Sequence, residues 1–228
     1  VQTCALPISR SVNGLCLLES DAVSYGPWDG HLVGCEYDTR RLIRMSLQRV
    51  GETYQGAAYP LTLDRPDETT ALLGPLCAAL DPHGELLIGS LRDSGWGGGN
   101  NIGELVRIRV EPDQFPAGIA EVRGTADGFE IQFAKPVVRE IALRPESYSI
   151  SRYRRESTPA YGGPDLDRSD VHVTDIAISS DHCQARLTLE RGGMKAGHVY
   201  EIHLRNLAGE GQPFHPADAY YTLRQLVR

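Results

Sequence analysis

The chain of 228 residues carries 23 basic and 30 acidic side chains, a net charge of −7, with 24 glycines and 14 prolines. An acidic chain without a run of Lys or Arg makes a poor nucleic-acid binder. No stretch approaches the roughly 18 apolar residues a membrane helix needs, which excludes such a span in this segment, and the density of Gly and Pro points to many turns.

The first residues stand apart. Val1-Gln2-Thr3-Cys4-Ala5-Leu6-Pro7-Ile8 can be encoded by GTT CAG ACG TGT GCT CTT CCG ATC, a string that matches a widely used short-read sequencing adapter, and the next base permits Ser9. Residues 1–9 are read as adapter-derived and set aside. The natural chain is expected to begin near Arg10, in mid-protein, as a C-terminal fragment whose N-terminal part is missing. Four cysteines then remain: Cys16, Cys35, Cys77 and Cys183. None forms a Cys-x-x-Cys pair, so zinc-ribbon and thioredoxin readings have no support. Cys16, Cys35 and Cys77 sit among apolar neighbours and read as small buried hydrophobes; a disulfide between two of them is the alternative if the parent is exported.

From Asp29 onward the pattern predicts strands and turns. Asp29–Gly34 begins a strand and Arg41–Leu47 is the next. Val50-Gly51-Glu52-Thr53 turns the chain into Tyr54–Tyr59. Pro75–Leu80 is a short apolar run, Asp81-Pro82-His83-Gly84 a tight turn, and Leu86–Gly89 and Glu104–Val110 follow as strands. Asp29-Gly30-His31-Leu32-Val33-Gly34 echoes His83-Gly84-Glu85-Leu86-Leu87-Ile88-Gly89, 54 residues later from Gly30 to Gly84. That spacing is close to the 40–50 residues of a propeller blade, although an ordinary antiparallel meander can give the same echo by chance.

Glu111-Pro112-Asp113-Gln114-Phe115-Pro116 reads as a linker. Seven strand-like segments follow: Ala117–Arg123, Phe129–Phe133, Tyr148–Tyr153, Val171–Ile178, Ala185–Leu189, Val199–Leu204 and Tyr220–Leu226. Seven short strands over about 100 residues suit an immunoglobulin-like sandwich. Residues 117–228 hold no Trp and only Cys183, so its core must rely on aliphatic and aromatic packing. The expected fold is therefore all-β, with about two blades of a partial β-propeller over 10–111 and an immunoglobulin-like β-sandwich over 112–228.

The most unusual segment is Arg92–Glu104, where five glycines surround Trp96. It is neither a dinucleotide fingerprint nor a phosphate loop, because Asn100 and Glu104 stand where Gly and Lys are required. Blade geometry puts it on the rim opposite the Asp81–Gly84 turn. Asp93, Trp96, Asn100 and Asn101 are the candidate ligand-facing residues there, with Trp96 as a stacking surface and Asp93 as a polar anchor; the alternative is a rim loop that packs Trp96 on its own blade. No nucleophile motif or metal-binding motif occurs. Asp165, Asp167 and Asp170 read as solvated carboxylates rather than a calcium loop. His198 and His203 fall on opposite faces of one strand, and His215 looks structural.

Val50–Leu61 and Asp93-Ser94-Gly95-Trp96-Gly97 resemble segments of large exported bacterial proteins that carry a glucose/sorbosone dehydrogenase-type propeller. Asp127–Val137, Tyr161–Asp165, Gly197–Ile202 and His215–Leu223 resemble the terminal immunoglobulin-like module of the same proteins. The resemblance implies a periplasmic or extracellular parent, a quinone-dependent (PQQ) sugar or alcohol oxidoreductase with calcium, often fused to a haem c domain. None of those cofactors is expected in this fragment, since the family's catalytic histidine and quinone-binding cations match no residue of this chain. The leading expectation is a non-catalytic C-terminal piece whose partners are the missing blades of its own chain and a sugar or alcohol. The alternative is a non-catalytic surface module that binds polysaccharide or protein.

Overall fold

The computed structural model describes residues 12–62, 72–92, 101–156 and 163–228. The adapter-like residues 1–9 lie outside that set. In chain order the strands are β1 (Val12–Leu17), β2 (Leu32–Glu36), β3 (Arg41–Val50), β4 (Thr53–Pro60), β5 (Pro75–Leu80), β6 (Leu86–Arg92) and β7 (Ile102–Ile108), then β8 (Ile119–Gly124) and β9 (Gly128–Phe133). The short helix α1 (Arg139–Ala142) precedes β10 (Tyr148–Arg154), β11 (Leu166–Asp170), β12 (Val173–Ile178), β13 (Gln184–Leu189), β14 (His198–Leu204) and β15 (Asp218–Leu223). The chain is all-β, and the strand pairs with a resolved register are antiparallel. No described helix is long and apolar enough to cross a membrane.

Two compact units form. One holds Tyr59–Asp113 and the strands up to Met45; the other holds Gln114–Arg228 and, from earlier in the chain, Ser46–Ala58. The long β3–β4 hairpin is thus divided: its base belongs to the first unit and its tip to the second. Residues 46–58, expected within the first domain, join the second unit instead.

In the first unit, β1, β2 and β3 form one sheet and β5, β6 and β7 another. Strand β1 runs against β5, and Gly14 is what lets it do so: a Cβ there would lie 2.6 Å from the Cys77 Cα and 2.6 Å from the Leu76 carbonyl oxygen. The inner faces bury Leu18, Val33, Cys35, Leu42, Leu86 and Ile88. The Asp81 carboxylate caps the β5–β6 turn by accepting from the amides of His83 (2.8 Å) and Glu85 (2.9 Å), a side-chain turn typical of Asp. Tyr25 lies over that turn and donates to the Gly84 carbonyl at 2.9 Å.

Beneath this core sits a buried cation. The Arg44 guanidinium lies 4.8 Å from the Trp28 ring centre and 4.2 Å from that of Tyr59, and its Nη1 donates to His31 Nδ1 at 2.6 Å. Burial first, and the Arg44 charge second, hold the His31 pKa down at about 3. The imidazole is therefore neutral and free to accept. Among the described residues the four thiols, Cys16, Cys35, Cys77 and Cys183, are free. Cys35 is buried as expected, and burial pushes it up to about 11. Cys77 departs from the expectation: it is exposed, because alternation along β5 turns it away from the face that packs on β1 and β2.

In the second unit the hairpin tip extends a sheet in the order β3, β4, β15, β14, β10, β11, and β12, β13, β9, β8 form the sheet opposite. Phe129 meets Tyr200 at 5.1 Å and Tyr221 at 5.3 Å, both edge-on. These aromatic contacts, each worth about 0.5–1.5 kcal/mol beyond burial, occupy the centre of a core without Trp or disulfide. The hairpin tip is held by polar bonds. Gln48 pairs both ways with the Gly124 backbone, at 2.9 and 2.8 Å. Tyr221 donates to Gln48 Oε1 at 2.6 Å and accepts from Gln55 Nε2 at 2.9 Å. Gln55 Oε1 accepts the amides of Arg224 and Gln225 at 3.1 Å each.

Candidate functional site

Of the residues singled out in the glycine-rich loop, Asp93, Trp96 and Asn100 lie outside the described residues. Asn101 is exposed at the foot of β7. Arg92 pairs with Ile102 at one end of the β5–β6–β7 sheet, and Leu80 pairs with Leu86 at the other, beside the Asp81–Gly84 turn.

The densest described arrangement of polar side chains is elsewhere, on the outer face of the sheet in the second unit. Cross-strand register defines it. Tyr148, Ile150, Tyr200, Ile202 and Tyr221 point into the core, all at 6% exposure or less. Period-two alternation therefore sends Ser149, Ser151 and Tyr153 of β10, Glu201 and His203 of β14, and Asp218 and Tyr220 of β15 to the other face. Ser149 pairs with His203 and Ser151 with Glu201, while Glu201 pairs with Tyr220 and His203 with Asp218. Tyr220 in turn pairs with Ala58, so the same alternation brings Tyr54, 58% exposed, to this face.

Glu201 is the buried anion of the cluster, with 7% of its surface exposed. It accepts from the Ser151 hydroxyl at 3.2 Å and from both terminal nitrogens of Arg168, at 2.6 and 3.2 Å. Such a two-pronged guanidinium–carboxylate pair fixes both groups in one plane. Arg168 also holds Asp165, whose other oxygen accepts from Arg155 at 2.7 Å. Hydrogen bonding to Glu201 keeps the Arg168 guanidinium firmly charged. Its carbon lies 4.6 Å from the centre of the Tyr153 ring. Tyr153 is fully buried, and burial raises its hydroxyl to about 12.

His203 Nδ1 lies 2.7 Å from Asp218 Oδ1, and that hydrogen bond raises the imidazole pKa. The His203 ring meets Tyr220 edge-on at 6.0 Å. Of the carboxylates expected to be solvated, Asp167 is 55% exposed and also accepts from Arg154 Nε at 2.8 Å, which lowers its pKa, whereas Asp165 is held between Arg155 and Arg168. Among the described residues no three His, Cys, Asp or Glu side chains gather as metal ligands.

The sequence reading missed this cluster, although the alternation of His198–Leu204 already sent Glu201 and His203 to the wet face. Chemically the face offers carboxylate acceptors, guanidinium and imidazole donors and two tyrosine rings, most of them already fixed by one another. Comparison with protein-family models, with curated proteins and with solved structures finds no match.

Proposed function

We propose that this chain is a non-catalytic binding module that takes polysaccharide on the outer face of its second unit. The observation that carries the reading is the hydrogen-bonded set Arg168, Glu201 and Ser151 beside the His203–Asp218 pair and Tyr220. Vicinal sugar hydroxyls donate to carboxylates and accept from guanidinium, and the apolar face of a pyranose stacks on tyrosine. Side chains already held by their neighbours lose little freedom when a ligand arrives, so each contact contributes more to affinity. Affinity electrophoresis against soluble neutral and acidic polysaccharides tests it. Retardation by at least one polymer is expected, and Tyr220→Ala should weaken it about tenfold with the thermal midpoint nearly unchanged. A chain that no polymer retards sinks the reading.

A second reading is favoured by β1 lying against β5, the order of innermost strands in neighbouring propeller blades. On it the first unit closes a dehydrogenase-like propeller of an exported, quinone-dependent parent. The exposed Leu15 (57%) and Leu105 (72%) would then face further blades. The test joins the chain to its upstream reading frame and assays PQQ-dependent dye reduction with sugars and alcohols. Sugar-dependent reduction is the expected result, and an upstream frame encoding no further blades removes this reading.

A further inference from the structure

At the tip of the β3–β4 hairpin, within the second unit, an open pocket of about 760 Å³ is lined by Arg49, Arg224, Arg228, Gln48 and Gln225 and by no carboxylate side chain. Three arginines among its lining residues give this hollow a positive bias in a chain whose net charge is −7. The contrast with the outer face is direct: there Arg155 and Arg168 each hold a carboxylate. No described carboxylate is ion-paired to Arg49, Arg224 or Arg228.

The walls are also fixed. Gln225 donates from its side chain to the Val50 carbonyl, tying the last strand's extension to the hairpin turn. Gln55 holds the amides of Arg224 and Gln225, so the backbone that carries Arg224 is anchored to the buried core. Arg49 Nε donates to the Gly51 carbonyl at 3.3 Å, which orients the guanidinium and leaves its terminal nitrogens for a ligand. Guanidinium forks match the paired oxygens of carboxylate and phosphate. Like charges held around one cavity repel, and a bound oxyanion relieves that repulsion.

We propose that this pocket binds an oxyanion group, the carboxylate of an acidic sugar or a phosphate. The site is distinct from the outer-face cluster and stands whether or not that face takes polysaccharide.

Isothermal titration of the full chain with tripolyphosphate and, separately, with oligogalacturonate tests it. Saturable binding of at least one is expected, weakening as salt rises. Binding of only one assigns the source of the oxyanion. The double variant Arg49→Gln/Arg224→Gln should lower the affinity at least tenfold, and Arg224→Glu should abolish it, whereas Tyr220→Ala leaves it unchanged. Arg49 and Arg224 are both exposed, and a melting curve run beside each titration confirms that the variants fold. Titrations with no saturation by either probe to about 10 mM, or an unchanged affinity in the double variant, overturn the proposal.

Discussion

Gln48→Leu is expected to destabilise the second unit by about 3 kcal/mol. The substitution keeps the size of the side chain and removes its polar end. It strands the Gly124 amide and carbonyl and deprives the Tyr221 hydroxyl of its acceptor, all in a buried site. A buried group left without its partner costs about 1–3 kcal/mol. The three losses share one side chain, so the sum falls below three separate penalties. Tyr221→Phe should cost less, about 1–2 kcal/mol, because Gln48 still pairs with the Gly124 backbone. Differential scanning calorimetry of the wild type and both variants gives the order. A Gln48→Leu midpoint within a degree of the wild type would mean that the hairpin tip is held by something other than this network.

The second large effect is a loss of stability of the first unit in acid. His31 has a pKa of about 3 in the folded chain against about 6.5 when unfolded. The unfolded chain therefore takes up a proton that the folded chain refuses. Stability is unaffected above about pH 6.5 and falls as pH drops from there toward 3, by about 2–3 kcal/mol at pH 4.5. Asn at position 31 can still accept from Arg44 but cannot titrate. His31→Asn should flatten this part of the profile while costing some stability at neutral pH. Residues 46–58 and 114–228 contain no tryptophan and Trp28 packs against the core of the first unit, so denaturant unfolding followed by Trp28 fluorescence reads that unit. Parallel pH profiles for the wild type and His31→Asn would exclude His31 as the origin. His203 has the opposite sign: its raised pKa lends the second unit stability in acid that is lost as pH rises through it.

Strands were legible where burial is one-sided. Phe129–Phe133 and His198–Leu204 alternate because one face meets the core and the other water. Leu166–Asp170 was not legible as β11, since Asp167 and Ser169 pair with arginines and Arg168 with carboxylates, which gives no apolar period. Val12–Leu17 escaped because Gly14 interrupts the pattern where β1 must pass close to β5. The place of Ser46–Ala58 in the second unit was invisible for a different reason. Its ties are two glutamines whose partners lie far along the chain, and a Gln at a strand position reads as exposed. The outer-face cluster was half legible: alternation gives the face of Glu201 and His203, but only the register of β10, β14 and β15 brings Ser151, Arg168 and Asp218 to them. The glycine-rich loop was conspicuous in composition, and three of its four candidate residues lie outside the described part of the chain.

The divided hairpin has a consequence for synthesis. Gln48 leaves the ribosome 173 residues before Tyr221. At about 5–20 residues per second that is a wait of roughly 9–35 s, during which the hairpin tip has no sheet to join while its base can already fold with the first unit. The second unit cannot finish until β15 appears beside β4, even though its first strand is made early. During that interval the edge of β4 is an unpaired strand open to other nascent chains. The glycine at position 56, where a Cβ would sit 2.0 Å from the Ser46 carbonyl oxygen, keeps the two arms of the tip in close contact, a compact hairpin waiting for its neighbour.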